Sequence, residues 1–352
     1  MPFPGYSAIP LVQLLAGRLG LARSLADSAV ETRLISPGLT EAPPRAIFLD
    51  GQLDRVTGVD STSSLDLERI RLGGVPVTHL PTLAFRIEDA VFSAGRLLTP
   101  RLHENQGGTQ KRRLIARITE QLDSAAFPLN LYATLFFGHM VLDGAAAMML
   151  APPFAPACID ATVSAGMAGH VDRYFQIFGL AHRAVRDVRV HNAWLFDDRG
   201  MNPHKSARLR TLGEKVRALP GRGSGHGVFF RRRGWGARRA PENEAELEDF
   251  FAARDFDIVD AAGLGVDDII ARIRGARVLV GVEGSGLTHG MLAMEPGATV
   301  VMLMPPWRLN NMMKDYSDGL GLRHAFVIGT EGRGGYVIDP DEILRTMDLA
   351  GV

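Results

Sequence analysis

The stretch Arg277-Val278-Leu279-Val280-Gly281-Val282-Glu283-Gly284-Ser285-Gly286-Leu287-Thr288-His289-Gly290 decides the fold. Its first part, Arg277 to Val282, is an almost continuous apolar run of strand length, which is how a strand buried on both faces of a parallel sheet reads. Gly281, Gly284 and Gly286 fall within six residues, and Thr288 to Met294 then has the composition of a short helix. A second buried strand, Thr299 to Met304, is stopped by Pro305-Pro306, because proline cannot donate to a sheet ladder.

Upstream of that stretch the alternation continues. Gly227 to Phe230 reads as a short strand. Glu242 to Ala253 reads as an acid-started amphipathic helix with Leu247, Phe250 and Phe251 on one side. Asp257 to Val259 is a strand, and Val266 to Arg274 a helix with Ile269, Ile270 and Ile273 inward. Strand and helix alternating at these lengths predict βαβ units and a parallel α/β sheet. The N-terminal half is less regular. Ala46 to Leu49, Val75 to Leu80 and Ala90 to Phe92 are short extended pieces closed by turn residues, and Val188 to Leu195 reads as a strand ending at Asp197-Asp198-Arg199-Gly200. That loop divides the chain into an N-terminal domain, 1–198, and a C-terminal domain, 199–352.

Composition bounds the function. The chain has 352 residues, 46% hydrophobic and 22% charged, which suits one large or two medium globular domains. Basic and acidic residues both number 39, so the molecule has no overall charge with which to coat a nucleic acid. The single cysteine, Cys158, cannot form an internal disulfide or a multi-thiolate metal site and reads as a small buried side chain. No cluster of positive charge precedes the N-terminal apolar stretch, so a cytoplasmic protein is expected. Leu131 to Leu150 has the length of a membrane span, but His139 and Asp143 near its middle argue against one. Pro10 to Leu25 is compatible with peripheral membrane association, although an ordinary N-terminal core helix explains the same leucines with fewer assumptions.

Three constellations carry chemistry. The first is the glycine-rich turn, where backbone N–H groups and a helix N-terminus can approach an anion; a tight turn needing positive φ is the bland alternative. A P-loop is excluded because no Lys-Ser or Lys-Thr pair follows the glycines, and a dinucleotide fingerprint lacks its acid at the end of the next strand. The second is an acid-free segment between Glu214 and Glu242 with Arg231, Arg232, Arg233, Arg238 and Arg239 closely following a strand end. Those arginines can converge on the same anion or form a solvated loop. The third is His139 with Asp143, four residues apart and hence on one helix face in a stretch without Lys or Arg. The pair can take a proton from a hydroxyl, or it can be a buried pair satisfying itself. No Glu-x-x-His or His-x-x-x-His spacing surrounds it, so no metal is expected.

Taken in order, Phe229-Phe230-Arg231-Arg232-Arg233, Arg238-Arg239, Asn243-Glu244, Ala276 to Gly281, Gly284-Ser285-Gly286-Leu287-Thr288, Pro296-Gly297 and Pro305-Pro306 resemble the C-terminal half of glycosyltransferase family 61. Gly138-His139 with Asp143 is similar to that family's histidine-bearing helix. Glu283 stands where the family usually has His, and His289 where it has Asn. The resemblance implies a GT-B-like α/β architecture, two Rossmann-like domains facing across a cleft, and an inverting glycosyltransferase. The donor would be a nucleotide-diphosphate sugar, with UDP expected, and the acceptor a glycan hydroxyl. No cofactor is implied beyond the donor itself. Asp143, oriented by His139, would be the base, with Glu283 the alternative. Arg232, Arg233, Gly284, Ser285, Gly286, Leu287, Thr288 and His289 would hold the donor, and neither a nucleic acid nor a transmembrane span is expected. A noncatalytic nucleotide-sugar-binding relative is the competing reading; it predicts neither transfer nor donor hydrolysis.

Overall fold

The computed structural model describes residues 5–107, 111–166, 169–222, 226–232 and 239–352. The chain divides into two compact units. One comprises Met1–Gly38 with Leu80–Lys205, the other Leu39–His79 with Ser206–Val352.

The second unit is built on five parallel strands in the spatial order Phe256–Val259, Gly227–Phe230, Val278–Val282, Thr299–Met304 and Arg323–Ile328. The central three are buried throughout. Their valines, leucines and phenylalanines supply apolar surface to both faces, which is why they read as unbroken hydrophobic runs. The helices Glu244–Ala252, Val266–Ile273, Thr288–Ala293, Met312–Leu320 and Pro340–Ala350 alternate with or follow the strands. In order of sequence the strands run 2-1-3-4-5, so the connection reverses direction between Gly227–Phe230 and Val278–Val282. In sheets of this kind ligands bind beyond the carboxyl ends of the strands flanking that reversal. Those ends carry Arg231-Arg232 and Glu283-Gly284.

Residues 39–79 belong to this unit, which corrects the expected division at 198/199. The reason is a set of long-range polar contacts invisible in the sequence. Ile47 pairs with the edge strand through Ile47 N–H to His324 O (2.9 Å) and Phe326 N–H to Ile47 O (3.0 Å). Arg55 grips Glu342 with two bonds of 2.7 and 2.6 Å. Gly58 passes so close to Trp307 that a Cβ there would lie 2.6 Å from its carbonyl oxygen. The later break, between Lys205 and Ser206, falls seven residues beyond the expected one.

The first unit departs from the Rossmann-like domain that the resemblance implied. Its main sheet runs His103–Asn105, Arg96–Leu98, Thr82–Ser93, Val188–Asp197, Glu120–Phe127, with Glu31–Ser36 also paired to Thr82–Ser93. Only Val188–Asp197 and Glu120–Phe127 are parallel; the other pairings are antiparallel. A tight hairpin at Ala94-Gly95, both at positive φ, sets the register of two of these strands. Phe92 stacks on Phe127 at 4.7 Å, and Cys158 packs in the same core, where burial pushes its thiol up to about 11. The helix expected to carry His139 and Asp143 lies in a broken series, Leu131–Leu135, Phe137–His139, a wider turn at Met140–Gly144, and Ala145–Met148. Among the described residues no helix is long and apolar enough to cross a membrane.

His324, in the edge strand of the second unit, is 3% exposed, and burial beside Lys314 pushes its imidazole down to about 3. The folded state therefore keeps His324 neutral while the unfolded chain protonates it near 6.5. Its contribution to stability is complete above pH 6.5 and is lost as pH falls from 6.5 towards 3, at about 1.4 kcal/mol per pH unit. Denaturant unfolding between pH 4.5 and 7 should show that slope, and His324→Gln should flatten it.

Candidate functional site

In the first unit the broken helix brings His139 and Asp143 together, as their spacing predicts: His139 Nδ1 lies 2.6 Å from Asp143 Oδ2. The wide turn at Met140–Gly144 sits between them, and such turns recur at functional sites. The sequence reading did not anticipate the third member. Lys205 Nζ donates to the other carboxylate oxygen, Asp143 Oδ1, at 2.6 Å, and to the Asp198 carbonyl at 2.8 Å. Lys205 is 3% exposed. It opens the helix Pro203–Arg217, where Asn202 caps the first turn by accepting the Lys205 N–H at 3.1 Å. Asn202-Pro203 is a legible helix start, so the sequence could have placed Lys205 in a first turn. It could not have placed the ammonium against Asp143.

The electrostatic result is clear in sign. Burial alone would push the Asp143 carboxyl up, but Lys205 and the His139 hydrogen bond outweigh it and hold the group well below the usual carboxylate range. Asp143 is thus a fixed anion with both oxygens engaged. His139, 17% exposed in its side chain, has the rings of Tyr132 and Phe136 at 6.0 and 5.9 Å. Those two rings are about half exposed.

In the second unit the glycine-rich turn follows its strand as expected, with Gly284 at φ +152°, a region that favours glycine. A Cβ on Gly284 would collide with the guanidinium of Arg232, so the arginine lies directly over the turn. The helix after it, Thr288–Ala293, has only six residues and is wholly buried, which leaves little macrodipole to offer an anion. The Leu287 N–H is already used by Gly284 O at 3.1 Å. Leu287, Thr288 and His289 are buried, His289 against the ring of Phe230, while Ser285 and Gly286 are half-exposed. The charge at this end of the sheet is carried by side chains instead.

Glu283, 3% exposed, receives Arg239 and Arg308 on the same carboxylate oxygen. Arg308 also pairs with Asp60. Arg232 is anchored through its backbone N–H to Glu244 Oε1 at 2.7 Å. Burial, then the charge of Arg239, pulls the Arg232 guanidinium below its ordinary range, with Glu283 partly opposing. Three guanidinium groups thus gather beside three carboxylates, those of Glu283, Asp60 and Glu244. Arg308 follows Pro305-Pro306 and had no role in the sequence reading; only its distance from Glu283 in space gives it one. Arg231 turns elsewhere, to Glu248 and Asp260 at 3.4 and 3.1 Å, so the arginine run does not converge as a block. Arg233 and Arg238 lie outside the described residues. Among those described, no group of three or more His, Cys, Asp or Glu side chains is placed to hold a metal ion.

The second unit is thus an α/β unit with buried arginine side chains gathered at the reversal point of its parallel sheet. The family model described as Glycosyltransferase 61 matches residues 137–301, a little under half of the chain, and that segment contains His139, Asp143, Arg232, Arg239 and Glu283. The match supports glycosyltransferase family 61, and with it a glycosyltransferase with donor and acceptor substrates. No curated protein matches the chain.

Lys205→Met should destabilise the protein by about 3 kcal/mol or more, because it leaves the buried Asp143 with one partner fewer. The double variant Lys205→Met/Asp143→Asn should be more stable than Lys205→Met alone in denaturant titration, since the uncompensated charge has gone.

Proposed function

We propose that the protein is an inverting glycosyltransferase that moves a sugar from a nucleoside diphosphate sugar, with uridine as the base, to a glycan hydroxyl. The observation that carries the donor reading is the gathering of Arg232, Arg239 and Arg308 around Glu283 at the carboxyl end of a parallel strand. The uridine base is taken from the family resemblance.

In this reading the acceptor oxygen attacks the anomeric carbon as the bond from that carbon to the diphosphate oxygen breaks. Negative charge grows on the departing diphosphate. Guanidinium groups and the half-exposed Ser285-Gly286 backbone then stabilise the transition state more than the ground state. Leu287, Thr288 and His289, being packed inside, serve to hold the turn. Arg233 remains a proposed ligand of the same diphosphate.

The acceptor proton goes to His139 rather than to Asp143. Both oxygens of Asp143 are taken, by His139 and Lys205, and its low basicity makes it a poor proton acceptor. Its role is to hold His139 through Nδ1 and to stabilise the imidazolium that forms when Nε2 takes the proton, as in hydrolytic triads. Glu283 is likewise committed to arginines and acts by setting their positions. Tyr132 and Phe136 offer half-exposed ring faces beside His139, on which the apolar face of an acceptor sugar can stack.

Titration with UDP should stabilise the protein against heat. Arg232→Ala and Arg308→Ala should each weaken that binding about thirtyfold, the effect of losing one charge-assisted contact. Nucleotide binding without transfer or donor hydrolysis would instead favour the noncatalytic relative. His139→Ala should leave UDP affinity unchanged and lower kcat by about 10²- to 10⁴-fold. Equal loss in Asp143→Asn with full activity in His139→Ala would overturn the assignment of the base.

A further inference from the structure

The N-terminal helix Ile9–Arg18 packs the reverse of a core helix. Pro10, Gln13 and Ala16 face inward, whereas Val12, Leu15 and Leu19 form an outer stripe at i, i+3 and i+7. Leu15 is 48% exposed, Leu19 73% and Leu21, just beyond the helix, 51%. The core-helix explanation is therefore corrected for Leu15, Leu19 and Leu21: the helix turns Gln13 in and Leu15 and Leu19 out, while Leu11 and Leu14 are half-buried. Beside it, Leu114 and Ile115 are also about half exposed. They are held there because Ala116 pairs with Ser7 and the Arg112 guanidinium donates to Pro10 O at 2.7 Å.

The rim of this apolar surface is cationic. A pocket of about 460 Å³ is lined by Gln13, Gly17, Arg18, Arg23, His103 and Arg112 among others, with no carboxylate in its wall. Three segments meet there: 5–30, 94–103 and 111–117. Arg23 N–H bonds to Arg101 O at 2.9 Å. Together the three segments contain one acid, Asp27, whose carboxylate already bonds Ser24 at 2.6 Å. Glu104 alternates to the opposite face of its strand from His103. Burial, then the charges of Arg112 and Arg96, push His103 below its usual value.

We propose that this face docks on an anionic phospholipid surface, with Val12, Leu15, Leu19 and Leu21 entering the acyl boundary and the Arg18–Arg23–Arg112 pocket taking a lipid phosphate. Apolar side chains ringed by arginines are the two complementary halves of such a contact: burial supplies one part of the affinity and attraction to anionic headgroups the other. A soluble protein partner with an acidic rim would match the charge alone. The outward leucines, next to a pocket sized for a headgroup, favour the membrane. This inference is independent of the glycosyl-transfer reading, since none of its residues is assigned to donor, base or acceptor.

The test is flotation of the full chain with vesicles of phosphatidylcholine alone and with about a quarter phosphatidylglycerol, at low and high salt. Binding should require the anionic lipid and weaken with salt. Arg18→Glu/Arg23→Glu should lower partitioning at least about thirtyfold, taking each charge as worth about a factor of five. Leu15→Ser/Leu19→Ser should abolish salt-resistant binding, and Arg277→Glu, an exposed arginine of the other unit, should bind as the parent does. UDP stabilisation should be the same in all four proteins, so a failure here and a failure of the donor site are told apart. Equal binding to neutral vesicles, or binding indifferent to Arg18→Glu/Arg23→Glu, would overturn the proposal. A dimer that Leu15→Ser/Leu19→Ser converts to monomer, with no flotation, would assign the face to a second copy. Stabilisation by inorganic phosphate without flotation would assign the pocket to a soluble phosphate.

Discussion

The second unit is organised by one buried carboxylate. Glu283 stands at the end of a fully buried strand, where an ionised group survives only if cations come to it. Arg239 and Arg308 do so, and each brings its own chain segment. Tyr336 donates its hydroxyl to the Arg239 carbonyl at 2.6 Å, fixing the residue that emerges after the strand Gly227–Phe230. Arg308 pairs in turn with Asp60, and the backbone there is doubly tied, Leu309 N–H to Gly58 O at 2.9 Å and Asp60 N–H to Leu309 O at 3.1 Å. A single negative charge thus links the strand ends, the loop after the prolines and the excursion of residues 39–79. Replacing it would loosen all three rather than remove one contact, because residues in one ionic network do not contribute additively.

The parts of this molecule that could be read from sequence are those whose physics is local or repetitive. Strands buried on both faces have no polar phase to hide them, so Gly227–Phe230, Val278–Val282 and Thr299–Met304 stand out directly, and the helices between them are bounded by glycine, proline or acidic starts. The His139–Asp143 contact is equally local, one helical turn. What could not be read depends on pairs far apart in sequence. Arg55 meets Glu342, Arg308 meets Asp60, and Lys205 meets Asp143 across 62 residues; any of many arginines or lysines would have served as well on paper. The antiparallel strands of the first unit were obscured for another reason. Their alternation is interrupted by paired charges such as Arg86 with Glu31, so apolar periodicity is weak just where cross-strand ion pairs replace it.

The two clusters treat charge in opposite ways, and this bears on what each can do. Around Asp143 every partner is matched: one carboxylate, one ammonium, one imidazole, with geometry fixed by a capped helix and a wide turn. Such a set cannot gain much from an added ion, but it can hold an imidazole in one orientation and receive a proton on it. Around Glu283 three guanidinium groups gather beside Glu283, Asp60 and Glu244, and burial pulls the Arg232 guanidinium below its ordinary range. In the proposed reading that set receives the anionic donor. In the proposed reading, proton transfer and leaving-group stabilisation therefore fall to different residues.

The zero net charge of the chain conceals this division. A balanced total excludes long-range attraction to a phosphate polymer, because beyond about 10 Å salt screens whatever asymmetry exists. It does not govern what happens within a few ångströms of a desolvated guanidinium, where the effective dielectric is low and one unmatched charge outweighs many solvated ones. Acids in this protein are spent largely on fixing basic side chains, as Glu342 fixes Arg55 and Asp257 fixes Arg272. Arg232, Arg239 and Arg308 gather at the turn after Val278–Val282, and Arg18, Arg23 and Arg112 beside the outward leucines of Ile9–Arg18. A neutral total therefore does not exclude such local gatherings of basic side chains, and it is on these that the proposed anionic ligands would bind.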